Sequence, residues 1–97
     1  MEVDIELLEK IVVTIFNEIK NQKTASLDVD YYWDVPGKDI YNPYNEPEKL
    51  DIGQLSEDYE LLCTAYRGGY LVQHNFRKVA SLLRYLSEVP LDYRVKK

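Results

Sequence analysis

The sequence predicts a mainly α fold, in which a small three-helix bundle carries an extended aromatic segment or a short β-hairpin inserted after its first helix. Three stretches repeat apolar residues at the spacing of one helix face, and the stretch after the first of them alternates with a period of two. With 97 residues, 45% of them hydrophobic and 30% charged, the chain has the size and composition of one globular domain, residues 1–97. If the inserted segment forms a stable sheet, the fold class is α+β instead.

The first helix is predicted over residues 4–21. Asp4 is the expected N-cap, and the acidic residues of the first turn suit the positive end of the helix dipole. The apolar stripe is wide enough to bury against two neighbouring elements or against a second subunit, so a homodimer is one expectation. The stripe consists of Ile5, Leu8, Val12, Ile15 and Ile19, widened by Leu7, Ile11 and Phe16.

Residues 28–45, "DVDYYWDVPGKDIYNPYN", hold five aromatic rings and four aspartates but little aliphatic bulk. Residues 28–35 alternate between two faces, which indicates a strand with one buried face. We expect Trp33 to complete the core of the helices. Tyr32, on the opposite strand face, and Tyr44 are expected to be exposed.

A turn is predicted directly after this strand. Pro36 and Gly37 fit the central positions of a type II turn, after which Ile40 and Tyr41 would return antiparallel to the strand. Because a type II turn splays a two-residue hairpin, an extended aromatic arm clamped on the helices is the alternative.

The next helix is predicted in "LSEDYELLCTAYRGG", residues 55–69. Ser56 is the expected N-cap, and the acidic residues that follow, Asp58 among them, are read as ordinary helix-start charges. Gly68 and Gly69 supply the left-handed exit from the helix. The spacing of Asp51 and Gln54 also fits a capping box, which would start the helix one turn earlier.

The last helix is predicted in "QHNFRKVASLLRYLSEV", residues 73–89, where Phe76, Val79 and Leu83 mark one apolar stripe. Pro90 ends the helix because proline cannot continue the hydrogen-bond ladder. Residues 91–97 are expected to form a flexible tail.

Three short patterns, "YYW", "NPYNEPE" and "IGQLSEDYELL", resemble those of small bacterial proteins of unknown function. In those proteins a Tyr/Trp-rich extended segment precedes a Pro-Glu loop and then a Gly-x-Leu-x-acid-acid helix start. The resemblance covers roughly residues 29–62. It implies a bacterial origin and carries no biochemical role.

The reactive side chains form no pattern that predicts catalysis, so we expect no enzyme, no catalytic residues and no cofactor. A cysteine nucleophile needs a base, and nothing in the sequence places His74, the single histidine, beside Cys63, the single cysteine. Cys63 lies between apolar residues in mid-helix, which favours a buried, inert thiol. No metal site is expected either, because residues 28–39 place aromatic rings and Pro-Gly where a calcium loop needs its ligands.

The charges are distributed very unevenly along the chain. Residues 28–60 carry ten acidic side chains against Lys38 and Lys49, a net charge of −8, whereas residues 67–97 carry +5. These parts of the chain can attract each other within the fold, or the acidic segment can face a basic partner. Because the net charge of −5 repels a polyanion, we do not expect nucleic acid as a ligand, and no apolar run is long enough to span a membrane.

The sequence thus predicts a cytoplasmic, non-catalytic protein-interaction module, similar in design to an inhibitor, immunity protein or adaptor. Tyrosine and tryptophan provide large contact areas at low entropic cost, and an acidic rim would complement a basic partner. The alternative is a small enzyme or ligand-binding domain with a Tyr/Asp-lined pocket at residues 31–44. The predicted partner-binding residues are Asp30, Tyr32, Asp34, Tyr41 and Tyr44.

Overall fold

The computed structural model describes residues 1–20 and 22–91, and within them the chain forms four α-helices and a two-stranded antiparallel sheet. A helical chain with a β-hairpin after the first helix is therefore confirmed. Apart from Leu91, the predicted tail lies outside the described residues. In chain order the elements are α1 (Ile5–Glu18), β1 (Tyr31–Asp34), α2 (Gly37–Ile40), β2 (Asp51–Gln54), α3 (Leu55–Gly68), a 3₁₀ turn (Gln73–Asn75) and α4 (Phe76–Leu86).

The chain divides into two compact units. The first joins Met1–Ser26 with the residues from Val89 onward and contains α1, whose predicted cap is confirmed: Oδ1 of Asp4 accepts a 2.9 Å hydrogen bond from the backbone N–H of Leu7. The second unit, Leu27–Glu88, contains the other elements. Of the helices in residues 1–20 and 22–91, none has the length and apolar character needed to cross a membrane.

In the second unit, β1 and β2 form a β-ribbon in which Tyr32 faces Gly53 and Trp33 faces Ile52. The prediction that Ile40 and Tyr41 form the return strand is therefore wrong.

The reason lies at Pro36, whose carbonyl oxygen accepts hydrogen bonds from the N–H groups of Asp39 and Ile40, at 2.9 Å and 3.0 Å. These bonds start the short helix α2 in place of a type II turn. Gly37 has no positive φ, which that turn would require.

Helix α3 packs against α4, and Leu55 and Ala65 are the buried hydrophobic side chains among the described residues. The predicted exit from α3 is confirmed, because Gly69 has a φ of 73° and its N–H donates to the carbonyl oxygen of Tyr66. The earlier start at Asp51 is wrong, since residues 51–54 form β2 and the helix begins at Leu55.

Candidate functional site

The two faces of the β-ribbon differ sharply in exposure. Tyr31 and Trp33 project from one face of β1, and Ile52 lies directly across from Trp33 on the same face. Their side chains are 65%, 67% and 67% exposed, respectively. The prediction that Trp33 completes the core is therefore wrong. These three residues form an apolar surface that we call the ribbon face.

Tyr32 and Asp34 project from the other face and are half-buried, so the predicted exposure of Tyr32 is also wrong. The aromatic ring of Tyr32 lies over Gly53, where a Cβ atom would overlap it. An alternating pattern defines two strand faces but does not say which of them turns inward. Here the pairing with glycine turns Tyr32 inward and leaves Trp33 in solvent.

The inward-facing hydroxyl of Tyr32 reaches the carboxylate of Asp58 in α3. It donates a 2.6 Å hydrogen bond to Oδ2, and Oγ of Ser81 donates to the same oxygen at 2.7 Å. Nζ of Lys78 lies 3.3 Å from Oδ1 and supplies the compensating positive charge. We call these four residues the Asp58 cluster. Asp58 is the one buried charged side chain among the described residues, and its cluster joins the β-ribbon to α3 and α4.

Electrostatics keep the Tyr32 hydroxyl protonated. Burial, together with the hydrogen bond to Asp58, raises the pKa of Tyr32 from 10.0 to about 12. At neutral pH the phenol is therefore a hydrogen-bond donor and not a base or a nucleophile. The Asp58 cluster has the chemistry of a structural linkage.

Asp30 is a second linkage between the β-ribbon and α3. Its Oδ1 accepts from the backbone N–H of Ser56 at 2.7 Å, and its Oδ2 accepts from Nε2 of Gln54 and Oγ of Ser56 at 2.8 Å and 2.9 Å. The hydrogen bonds from Gln54 and from the Ser56 backbone lower the pKa of Asp30 below its usual value. Asp30 thus caps the start of α3 although it lies far from that helix in the sequence. The prediction that Ser56 is the N-cap is wrong.

The predicted contact residues occupy two kinds of environment. Asp30 and Asp34 have partners within the protein, since Nη2 of Arg77 lies 3.2 Å from Oδ1 of Asp34. Tyr41 and Tyr44 are 87% and 92% exposed, and the exposure of Tyr44 agrees with the prediction.

A shallow pocket lies beside the Asp58 cluster, at the start of α4. Its volume of about 120 Å³ is below the roughly 300–1,000 Å³ typical of small-molecule sites. His74 lines this pocket, whereas Cys63 is half-buried on α3 and forms a hydrogen bond with Tyr59, which raises the pKa of that tyrosine. The pocket is lined by Tyr32, Asp34, His74, Asn75, Arg77 and Lys78.

Donor groups for a metal ion do not converge in the part of the chain that the structure describes. Among those residues no group of three or more histidine, cysteine, aspartate or glutamate side chains is placed to hold a cation. The carboxylates of Asp34 and Asp58 instead face Arg77 and Lys78.

Asp58 is the structural residue that sequence reasoning missed. Asp58 does lie in the first turn of α3, as predicted, but it is not an ordinary helix-start charge, because its side chain is only 5% exposed. Its position in the sequence indicates this burial. Asp58 lies three residues after Leu55 and seven before Ala65, which places it on the buried stripe of α3. An acidic residue at such a position needs hydrogen-bond donors from neighbouring elements.

No family model matches this chain, and no curated protein or solved structure is significantly similar to it. Function must therefore be inferred from the ribbon face and from the contacts that hold it.

Proposed function

We propose that the protein is a non-catalytic protein-interaction module and that the ribbon face is its contact surface. The observation that carries the proposal is the arrangement of Tyr31, Trp33 and Ile52, each about two-thirds exposed, side by side on one face of a sheet. Burying one large apolar side chain stabilises by about 1.5–3 kcal/mol. Exposed apolar surfaces of this kind often mark contact sites for other proteins.

The backbone under this surface is well anchored, which favours binding. The Asp58 cluster fixes the inner face of β1, and Asp30 ties the start of the strand to α3. A surface held in place before binding loses little conformational entropy when a partner arrives. Tyrosine and tryptophan add large contact areas with few rotatable bonds.

The charge of this unit favours a basic partner. Residues 27–88 carry eleven acidic and six basic side chains, a net charge of −5. Asp30 and Asp34 act in this proposal through their charge, since their oxygens already have partners within the protein. Tyr41 and Tyr44 extend the proposed contact area, whereas Tyr32 supports the ribbon face from behind.

We also propose that the module works in the cytoplasm of a bacterium. The single cysteine supports a cytoplasmic location, and the resemblance of three short patterns to small bacterial proteins supports a bacterial origin. The proposal keeps the three-helix bundle that the sequence predicts, on the strength of the apolar stripe of α1.

Matched isoleucine substitutions test the contact surface. Ile52→Ser changes the ribbon face, whereas Ile40→Ser changes an isoleucine of similar exposure, 56%, outside the ribbon face. A partner captured from host lysate is purified and titrated against both variants, with the fluorescence of Trp33 as the signal. We expect Ile52→Ser to weaken binding at least tenfold and Ile40→Ser to preserve it. Equal affinity of the two variants would contradict the proposed surface.

A ligand-binding domain or small enzyme is the second candidate, because Tyr32 and Asp34 of the aromatic segment line the pocket at the start of α4. The volume of the pocket limits a ligand to the size of a small ion. Titration with inorganic phosphate, followed by the NMR signals of His74, tests this candidate. Unchanged signals at millimolar phosphate would argue against a phosphate site.

A further inference from the structure

The hydrogen-bond pattern of the β-ribbon shows which backbone groups of β1 face outward. The N–H of Leu55 donates to the carbonyl oxygen of Asp30 at 2.7 Å, in the same register that pairs Tyr31 with Gln54. Hydrogen-bonded and non-hydrogen-bonded pairs alternate along an antiparallel ladder. The peptide groups of Tyr32 therefore face β2, and those of Tyr31 and Trp33 face away from it.

The outer edge of β1 is open to another strand. The sheet formed by the described residues has two strands, so the N–H and C=O groups of Tyr31 and Trp33 pair with no further strand within residues 1–20 and 22–91. The edge is about 13 Å long at 3.3 Å per residue. An added antiparallel strand would make up to four hydrogen bonds with these two residues.

The charges beside this edge favour a cationic strand. Asp28 accepts a hydrogen bond from the neutral hydroxyl of Tyr85, and Asp30 accepts from neutral groups of Gln54 and Ser56. Neither carboxylate has a cation within ion-pair distance among the described residues. Asp28 therefore remains available to attract a lysine or arginine side chain, whereas Asp30, whose oxygens face Gln54 and Ser56, contributes only its charge at longer range.

The same charges disfavour a second copy of this chain as the added strand. Antiparallel pairing of two β1 strands about Tyr32 would place Asp30 opposite Asp34 of the second copy. Like charges directly opposite each other destabilise a sheet. Acidic side chains on an edge strand are a common protection against such self-pairing.

We propose that the outer edge of β1 accepts an extended cationic segment of a partner protein as a third strand. This inference rests on the proposed interaction function and specifies how the partner binds. Because side chains alternate along a strand, the apolar residues of the segment would lie beside Tyr31 and Trp33 on the ribbon face. Its lysine or arginine residues would lie on the side of Asp28 and Asp30. Binding by strand addition uses backbone hydrogen bonds for affinity and these alternating side chains for specificity.

The experiment compares two substitutions at Tyr31. Tyr31→Ala removes the ring and keeps the outward N–H, whereas Tyr31→Pro removes both and leaves the bonds between β1 and β2 intact. The probe is a seven-residue peptide of alternating lysine and valine, and its binding is followed by the fluorescence of Trp33. We expect the Tyr31→Pro variant to bind about tenfold more weakly than the Tyr31→Ala variant, since a backbone bond is lost and a peptide carbonyl is left unpaired. Raising the salt concentration should weaken binding to the wild type.

Amide hydrogen exchange on the wild-type protein tests the same inference without any substitution. We expect the peptide to slow the exchange of the Trp33 N–H at least tenfold and to leave the already bonded N–H of Leu55 nearly unchanged. This measurement decides the question if Tyr31→Pro prevents folding.

Several results would overturn strand addition at this edge. Strand addition is excluded if the lysine–valine peptide fails to bind, fails to slow the exchange of the Trp33 N–H, or binds no better than a glutamate–valine peptide. A fourth contrary result is a dimer, seen by sedimentation without peptide, that the Tyr31→Pro variant forms more weakly than the Tyr31→Ala variant. The proposed function fails separately, through equal partner affinity of the Ile52→Ser and Ile40→Ser variants. If Ile52→Ser weakens the partner complex while the two Tyr31 variants bind the peptide equally, the ribbon face is a contact surface and strand addition is excluded.

Discussion

The hydroxyl group of Tyr32 in β1 donates a 2.6 Å hydrogen bond to Oδ2 of Asp58 in α3, and this bond attaches the inner face of the β-ribbon to the helices. Ser81 and Lys78 of α4 contact the same carboxylate. Three elements therefore meet at one buried side chain. We therefore expect both the stability of this unit and the placement of the ribbon face to depend on this contact.

Removing the Asp58 carboxylate should strongly destabilise the unit. Asp58→Ala leaves the Tyr32 hydroxyl and the Lys78 ammonium without this acceptor, whereas the Ser81 hydroxyl can still donate to the Lys78 carbonyl oxygen. We expect a loss of about 3 kcal/mol in the free energy of unfolding, measured with urea. The exposed neighbour provides the control, since Glu57→Ala should change stability by less than about 0.5 kcal/mol. Similar small effects of both substitutions would show that the cluster does not stabilise the fold.

Gly53 should not tolerate a side chain. A Cβ at this position would overlap the ring of Tyr32, so we expect Gly53→Ala to destabilise by about 1–3 kcal/mol in urea unfolding. Gly37→Ala is the control, because a Cβ there meets no atom within 4 Å. Combining Gly53→Ala with Tyr32→Ala should cost less than the sum of the two single substitutions, since the ring that causes the overlap is gone. Full additivity would contradict the packing of Tyr32 on Gly53.

Stability should fall in strongly alkaline solution. The pKa of Tyr32 is raised from 10.0 to about 12, so its contribution is complete below pH 10 and is lost as the pH rises toward 12. We expect Tyr32→Phe to reduce the loss of unfolding free energy over this range. Tyr44→Phe, at a side chain that is 92% exposed, should leave the pH dependence unchanged. Identical curves for both variants would contradict the burial of the Tyr32 hydroxyl.

Asp30 should contribute to stability through its charge in mildly acidic and neutral solution. Its pKa lies below the usual 3.8, so the contribution is present above that pH and is lost as the pH falls through the lowered value. Asp30→Ala should lower the urea midpoint more than Asp30→Asn, because the amide oxygen of asparagine can still accept from the N–H of Ser56. Stability can be followed by circular dichroism as the pH is lowered. We expect the Asp30→Asn variant to lose less stability in acid than the wild type does, and the exposed control Glu46→Gln to behave like the wild type.

Local contacts explain which helix ends are predictable from the sequence. The cap of α1 lies three residues from its target, Leu7, so the sequence pattern contains both partners. The cap of α3 comes from Asp30, 26 residues before Ser56, and no local pattern contains that pair. The exit of α3 is again local, because a glycine at position 69 suits the left-handed conformation.

The candidate site is harder to predict, because it depends on strand pairing over a distance. Nothing in the alternation of residues 28–35 selects Asp51–Gln54 as the partner strand. That partner brings Gly53 opposite Tyr32, which turns Tyr32 inward and Trp33 outward. Composition thus makes the aromatic segment a candidate contact surface, whereas the residues that form its exposed face follow from a long-range pairing.

The sequence separation within the Asp58 cluster has a consequence for the order of folding. Tyr32 and Asp58 are 26 residues apart, whereas α3 and α4 follow each other closely along the chain. Because short loops close more readily than long ones, we expect the two helices to associate first and the β-strands to dock afterwards. The carboxylate of Asp58 would then be dehydrated only late in folding, after the rate-limiting step. Substitution of Asp58 should therefore accelerate unfolding far more than it slows folding.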